Sequence, residues 1–381
     1  MKNCWKFATP GYLKTGVGIS TEVFEYVDDL GGRKVFIVID PNLVHTNKLA
    51  KQLISKFNKI NSEVFTEFGT NPTTDQVNNS VSKFKKFNPD IAIAIGGGSA
   101  VDLAKATILT ALNGGKIEDY LGGKKGNKPF IPFITIPTTC GTGSEASPYA
   151  VIADPKLKKK RGIEDHKFLP DLVLLDPKLI ESLDTTTLAA TAMDALAHVF
   201  ETFISKKANE ITKSSVRGIL LGLVENIEKA TSKESLDYLL AMQNVAFSSR
   251  LLYPRTGLTI AHALSHPLGA YTNIHHGSAV SFFIPESFKI NYSYNKEGFD
   301  EAFKLLGFKQ PGDFYKWFDG FTEISGIRSY IKSCLSNEKL PISKIACDAM
   351  ESSNIPSNPK PVTRDDLVKV VNKSLIYWNI K

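Results

Sequence analysis

Cysteine is scarce in this 381-residue chain, and the four that occur, Cys4, Cys140, Cys334 and Cys347, lie far apart with no Cys-x-x-Cys pair. That excludes a disulfide scaffold and a thiolate metal knot, and a reducing, cytoplasmic setting is the expectation. Long hydrophobic runs are missing too. Nothing approaches the roughly 18 consecutive apolar residues of a membrane span, and the opening Met1-Lys-Asn-Cys-Trp-Lys-Phe7 lacks the apolar core of a secretion signal. Neither sign of charge dominates, the net charge being +7. The densest cluster, Lys156-Leu-Lys-Lys-Lys-Arg161, has none of the interleaved aromatics of a nucleic-acid stripe. A solvated basic turn is expected there, with attraction of a small anion as its second use. Neither nucleic acid nor a membrane is an expected partner, and no internal repeat or low-complexity tract is visible.

What remains is an ordinary globular composition, 42% hydrophobic and 22% charged. The length suits two domains.

Histidine numbers only seven, yet five of these (His198, His262, His266, His275, His276) fall between Asp194 and His276. Neutral imidazole is the commonest metal ligand, and a carboxylate with two or three imidazoles is a usual set for a first-row divalent ion. Asp194 and His198 are four apart, as are His262 and His266, so each pair shares one face of a helix. A single Asp-x-x-x-His pair is more often a surface ion pair, and a lone histidine among apolar residues is more often a satisfied core group. Clustering and the flanks tip the balance. Ala190-Thr-Ala-Met-Asp194-Ala-Leu-Ala-His198-Val-Phe200 reads as a buried helix, where a charge must be paired or bound to a metal.

Along the first 180 residues, short β-branched apolar runs alternate with amphipathic periodicity, which predicts a parallel sheet with helical cover. Strands are expected at 34–40, 62–67, 90–95, 132–136 and 172–176, and helices over 46–60, to 87, and over 101–112. From about 183 the strand-like runs nearly vanish. Helices are expected over 186–205, 209–229, 233–251 and 256–266, with a last one after Thr363. The predicted division is an α/β domain over 1–182 and an all-helical domain over 183–381.

Two polar turns follow strands. Gly96-Gly97-Gly98-Ser99 runs into a helix carrying Asp102 and Lys105, the arrangement of a pyrophosphate site, because glycines admit phosphates to the backbone and a helix start offers N–H groups. Glycines at such a turn are also often purely structural. Asp40, ending the first buried run, suits a ribose 2′-hydroxyl and disfavours a 2′-phosphate, favouring NAD over NADP; the alternative is a simple cap with Pro41-Asn42. Pro137-Thr138-Thr139-Cys140-Gly141-Thr142-Gly143-Ser144-Glu145 is the second polar loop and suits the nicotinamide end of a dinucleotide. Cys140 is read as part of a binding surface, not as a nucleophile.

Together, Gly96-Gly-Gly-Ser-x-x-Asp-x-x-Lys105, Pro137-Thr-Thr-x-Gly-Thr-Gly-Ser-Glu145 and Asp194-x-x-x-His198 with His262-x-x-x-His266-Pro-Leu-Gly and His276-Gly resemble the iron-containing (group III) alcohol dehydrogenase family. The likeness runs from Phe7-x-x-Pro to the C-terminal helices. It implies a Rossmann-like dinucleotide-binding domain, an all-α domain, a cleft holding NAD(P) and one Fe²⁺, and a homodimer. By position it implies metal ligation by Asp194, His198, His262 and His276, with Zn²⁺ as an alternative occupant. It places His266 near the nicotinamide, Gly97, Gly98, Ser99 and Asp102 on the pyrophosphate side, Thr138, Thr139 and Thr142 in the second cofactor loop, and Lys160 where relatives carry a basic residue. Asp40 again falls at a position that disfavours NADP.

The chain departs from the family in three places: Met193 stands for the usual glycine, His275 for a common proline, and Tyr253-Pro-Arg255-Thr for a small neutral segment. On continuous helical spacing Arg255 lies two turns before His262 on one face, which makes it a candidate partner for a carboxylate or phosphonate on the substrate. A solvated helix-start arginine is the rival account. The expected activity is hydride transfer between NAD(H) and a small alcohol or aldehyde, with a semialdehyde or phosphonoacetaldehyde among the candidates. The rivals are a zinc polyol dehydrogenase of the glycerol type, a dehydroquinate synthase-like lyase, and a dinucleotide-binding protein without catalysis.

Overall fold

The computed structural model describes residues 8–157 and 159–380; Cys4 and Phe7 lie outside the described residues. The chain divides into two compact units, one of Ala8–Ser182 with Leu239–Phe247, the other of Leu183–Tyr238 and the chain from Ser248 onward.

The first unit runs β1 (Tyr12–Thr15), α1 (Val23–Asp29), β2 (Val35–Ile39), α2 (Pro41–Thr46), α3 (Lys48–Phe57), β3 (Ser62–Phe65), α4 (Thr74–Phe87), β4 (Ile91–Gly96), α5 (Gly98–Asn113), α6 (Ile117–Leu121), β5 (Phe133–Pro137), β6 (Tyr149–Asp154), β7 (Lys159–Glu164) and β8 (Leu172–Leu175). Six strands form one parallel sheet in the order β1-β8-β5-β4-β2-β3. The central strands β2, β4 and β5 are buried at every residue, as strands covered on both faces must be. Alternate residues enter opposite cores: Phe36, Val38, Ala92 and Ala94 pack on one side, and Ile37, Ile39, Ile93 and Ile95 on the other.

Three local readings change. The basic cluster is a solvated turn only at its start: Lys156 and Leu157 are exposed in a turn, whereas Lys159, Lys160 and Arg161 sit in β7, paired antiparallel with β6, and Arg161 donates to the carbonyl of Leu121. The hairpin partner across the chain, not local composition, makes that segment a strand. The helix expected over 46–60 is the single α3, which starts only at Lys48 because Asn47 is extended and its side chain caps α3 through the Ala50 N–H, setting it off from α2. β1 escapes the sequence pattern because all four residues are exposed on an edge.

The regular elements described in the second unit are all helices: α7 (Thr185–Ile204), α8 (Glu210–Leu220), α9 (Leu223–Thr231), α10 (Leu236–Thr256, of which Leu239–Phe247 belong to the first unit), α11 (Ile260–Thr272), α12 (His276–Tyr292), α13 (Lys296–Leu305), α14 (Pro311–Ile324), α15 (Ile327–Leu335), α16 (Ile342–Met350) and α17 (Arg364–Tyr377). α7 starts where Asp184 accepts from the Thr187 N–H, and it is buried continuously from Leu188 to Ile204. A helix apolar all round belongs in the middle of a core, and rings such as Phe200 and Phe288, with centroids 4.3 Å apart, pack about it. The helix expected over 209–229 breaks at Gly222, whose φ of 73° suits a residue without Cβ. The one expected over 256–266 begins only at Ile260, since Gly257 (φ 66°) ends α10. No described helix is long and apolar enough to cross a membrane.

Candidate metal centre and dinucleotide site

Asp194 and His198 project from successive turns of α7, His262 from the first turn of α11, and His276 is the first residue of α12. Their polar atoms converge. Oδ1 of Asp194 lies 3.2 Å from Nε2 of His262, 3.6 Å from Nε2 of His276 and 3.9 Å from Nε2 of His198. The ligand atoms of Asp194, His262 and His276 all lie within 4.8 Å of one another. Four donors bound tetrahedrally at about 2.1 Å stand about 3.4 Å apart, so these separations are those of a set able to close on one cation. Three imidazole nitrogens and a carboxylate oxygen suit Fe²⁺ or Zn²⁺ better than Mg²⁺ or Ca²⁺.

One glycine lets α12 come near enough. A Cβ at Gly277 would collide with the backbone carbonyl of Ala190 on α7. Without that close approach His276 would stand back from Asp194. His275 is the N-cap of α12, and its backbone N–H donates to the Tyr330 hydroxyl at 3.2 Å. His266, one turn along α11 from His262, stacks on His276 with centroids 5.3 Å apart.

Sequence reasoning missed Glu201. It is fully buried on α7, seven residues and two turns beyond Asp194, and its Oε2 lies 2.6 Å from Nδ1 of His262. The same carboxylate accepts from the backbone N–H of Thr259 at 3.1 Å and from the Thr259 hydroxyl. Donating Nδ1–H to Glu201 leaves Nε2 of His262 as the ligating atom, the second-layer arrangement that orients metal-binding histidines. A glutamate isolated in the apolar run Val199-Phe200-Glu201-Thr202-Phe203 was the available signal.

The charges are coupled. Burial alone opposes ionisation of Asp194, but the His198, His276 and His262 imidazoles outweigh it and hold the carboxyl far below the usual range. Burial likewise opposes protonation of His262, yet the Glu201 charge and the bonds to Asp194 and Glu201 push it up to about 9. A cation entering the centre takes the place of that proton.

In the α/β unit, pairing of Ile39 with Ile95 brings Asp40 beside the glycine turn. Asp40 caps α2 by accepting from the Asn42 N–H at 2.9 Å, and a Cβ on Gly96 would sit 3.3 Å from its own Cβ. Gly97 is the N-cap and Gly98 the first residue of the 16-residue α5. Both glycines face the threonine loop: a Cβ at Gly97 would meet Thr139 at 2.9 Å, and one at Gly98 would meet Thr142 at 3.0 Å. The Thr138 N–H donates to the Gly96 carbonyl at 3.1 Å. The two polar turns thus form one surface at the carboxyl ends of β4 and β5.

Two α5 side chains fasten that surface. Asp102 accepts from the Ser144 hydroxyl and, at 3.0 Å, from the Val151 N–H. The buried Lys105 ammonium donates to the carbonyls of Ser144, Ser147 and Tyr149 at 2.6–3.0 Å. Ser99 turns its hydroxyl to the Thr70 carbonyl. Partly buried Lys160 on β7 has its pKa pushed down to about 8 by loss of solvent.

Arg255 departs from expectation. It is the last residue but one of α10, and the break at Gly257 places it and His262 on different helices, so the shared face inferred from spacing does not exist.

Two family models cover nearly the whole chain. One, for iron-containing alcohol dehydrogenase, matches residues 10–177, and one for the C-terminal part of the Fe-containing alcohol dehydrogenase family matches residues 188–375. The chain is similar to the NAD-dependent methanol dehydrogenase of Bacillus methanolicus, at 30% identity over 97% of this chain and 99% of that one. It is similar to the sulfoacetaldehyde reductase of Bilophila wadsworthia, at 32% identity over 74% of this chain and 73% of the relative. Among solved structures it resembles the sulfoacetaldehyde reductase of Bifidobacterium kashiwanohense in complex with NAD⁺, with a TM-score of 0.87, 26% identity, and 97% and 98% of the two chains covered.

Proposed function

The chain belongs to the iron-containing alcohol dehydrogenase family, and from that premise we propose that it reduces a small aldehyde bearing an acidic group, using NADH and an Fe²⁺ ion held by Asp194, His198, His262 and His276. The observation that carries this is the convergence of three imidazole Nε2 atoms on Oδ1 of Asp194. A divalent metal bound there supplies Lewis acidity to the carbonyl or alcohol oxygen.

The chain's own residues do the rest. Glu201 keeps Nε2 of His262 turned toward Asp194. His266, stacked on His276, passes the proton that accompanies hydride transfer. The start of α5, with Gly97, Gly98 and Ser99, receives the pyrophosphate, while Asp102 and Lys105 fasten the far end of the threonine loop at Ser144, and Thr138, Thr139 and Thr142 serve the nicotinamide half. Asp40 accepts from the adenosine ribose and repels a 2′-phosphate, favouring NAD(H). An arginine of α10 pairs with the acid group of the substrate. The working form is a homodimer in the cytoplasm.

The acidic-substrate reading draws support from the cationic end of α10 and from similarity to proteins named for sulfoacetaldehyde reduction. The test is NADH oxidation by protein reconstituted anaerobically with Fe²⁺, over a panel holding sulfoacetaldehyde, phosphonoacetaldehyde, succinic semialdehyde and their neutral analogues, with NADPH and Zn²⁺ loading in parallel. Turnover of the acidic aldehydes with NADH is expected; no turnover of any aldehyde in the metal-loaded protein would refute the proposal.

A further inference from the structure

The start of α11 lacks a cap of its own. Thr259 stands at the N-cap position, where a threonine hydroxyl ordinarily accepts from an N–H of the first turn. This hydroxyl donates to Glu201 instead and caps nothing. The first N–H groups of a helix have no partner within it, and two consecutive ones are met here from other elements. The Thr259 N–H donates to Oε2 of Glu201 at 3.1 Å, and the Ile260 N–H donates to Oδ1 of Asn358 at 3.2 Å, 98 residues along the chain.

Asn358 is fully buried, and every polar atom of its side chain is engaged. Its carboxamide pairs edge to edge with that of Asn291 on α12, Nδ2 of each donating to Oδ1 of the other at 2.8 and 2.9 Å. Nδ2 of Asn358 also donates to the Lys360 carbonyl at 2.8 Å, and the Lys360 N–H donates to Oδ1 of Asn291 at 3.2 Å. Both hydrogens of the Asn358 amide are thus spent, so Oδ1 is the atom that faces Ile260; exchanging the two would set donor against donor. The residues just before α11 are held in the same way. The Leu258 N–H donates to Oδ1 of Asn354 at 3.2 Å, the Leu258 carbonyl accepts from the Ser357 hydroxyl at 2.7 Å, and the Thr256 carbonyl accepts from the Ser205 hydroxyl at 2.7 Å.

We infer that Asn358 is a positioning residue for the metal centre: it caps α11 from the C-terminal part of the chain and so fixes the backbone from which His262 projects. This rests on the reading of Asp194, His198, His262 and His276 as a metal site. Ligation by His262 needs two things, a set ring rotation and a set backbone. Glu201 supplies the first through Nδ1. It also holds the Thr259 N–H, but both contacts come from α7, and a helix pinned from one side can pivot about the pin. Asn358 holds the next N–H, two residues before His262, from a different element. Asn291, its partner, lies on the helix whose first residue is His276. One amide pair therefore joins the helices that carry two of the ligands.

The experiment compares the full-length wild type with Asn358→Ala, Asn358→Asp, Asn291→Ala and Thr363→Ala. Each is titrated with Zn²⁺ against a chelating dye, loaded with Co²⁺ for visible absorption, whose d–d bands report ligand geometry, and unfolded in urea without metal. Thr363→Ala is the control, because it removes the cap of α17, where Thr363 accepts from the Asp366 N–H at 3.2 Å, and leaves α11 alone. Loss of the cap predicts that Asn358→Ala lowers Zn²⁺ affinity about 3- to 30-fold and alters the Co²⁺ bands. Asn358→Asp keeps an acceptor for Ile260 and recovers most of both, while Thr363→Ala loses stability and changes neither. Asn291→Ala leaves that acceptor on a looser amide, so a smaller loss in the same direction is expected, and it takes over the test if Asn358→Ala does not fold. Wild-type affinity with unaltered Co²⁺ bands in Asn358→Ala, whatever its stability, would overturn the inference. So would an equal fall in Thr363→Ala, which marks general loosening. If the wild type binds neither ion, the metal reading itself fails; if it binds both and the amide variants bind as well, only the role of Asn358 fails.

Discussion

The carboxylate of Glu201 stands 2.6 Å from Nδ1 of His262, and both side chains are sealed from solvent. His262 is thereby held between two carboxylates, Glu201 on one ring nitrogen and Asp194 on the other. Replacing Glu201 by Gln keeps an acceptor but removes the charge that orients the ring and makes it a stronger ligand. Metal affinity is expected to fall about 10- to 100-fold, read by competition against a chelating dye, while the metal-free protein keeps its fold. Unaltered affinity would mean that Glu201 serves Thr259 alone.

Gly277 sets the approach of α12 to α7. Ala at this position drives a methyl group into the Ala190 carbonyl, a backbone atom that cannot rotate away. We expect Gly277→Ala to destabilise the protein by about 1–3 kcal/mol and to lower metal stoichiometry, because His276 is the adjacent residue. Urea unfolding and metal analysis on the same sample check both. Full metal content at wild-type stability would show that the helices part without disturbing the centre.

Asp40 caps α2 and also flanks the glycine turn. Asp40→Ser keeps a cap of comparable quality and removes a negative charge. Repulsion between like charges in a partly dry site is worth a kcal/mol or more. kcat/KM with NADPH should therefore rise by about tenfold or more relative to NADH. An unmoved ratio would assign Asp40 to capping only.

Lys160 gives a pH signature. Its pKa in the folded chain, about 8, lies below the ordinary 10.5, so burial penalises the charged form. Below pH 8 the folded protein carries that penalty in full. As pH rises from about 8 to 10.5 the unfolded chain binds more protons than the folded one, so this group adds stability with pH. Lys160→Met should raise the melting temperature at pH 7, and the gain should shrink toward zero by about pH 10.5. A gain independent of pH would contradict the assignment.

Much of the molecule follows from local rules. The continuous apolar runs at 35–39 and 91–96 can only be strands covered on both faces, and residues four apart on α7 must share a side, so Asp194 and His198 were legible as a pair. Long-range neighbours were not. The basic residues 159–161 became a strand because β6 lies beside them, and a periodicity that ran from Arg255 to His262 was cut at Gly257 by a positive φ.

The order of residues by itself determined the periodicities, the helix starts and the identities of the candidate ligands, because these depend on neighbours within a turn or two. Only the tertiary structure decided how closely His276 approaches Asp194, that Glu201 serves His262 across 61 positions of chain, and that Tyr253 of α10 stacks on His198. The reason is that such roles lie in distances of a few ångströms between separate helices, and those distances are fixed by how the helices pack.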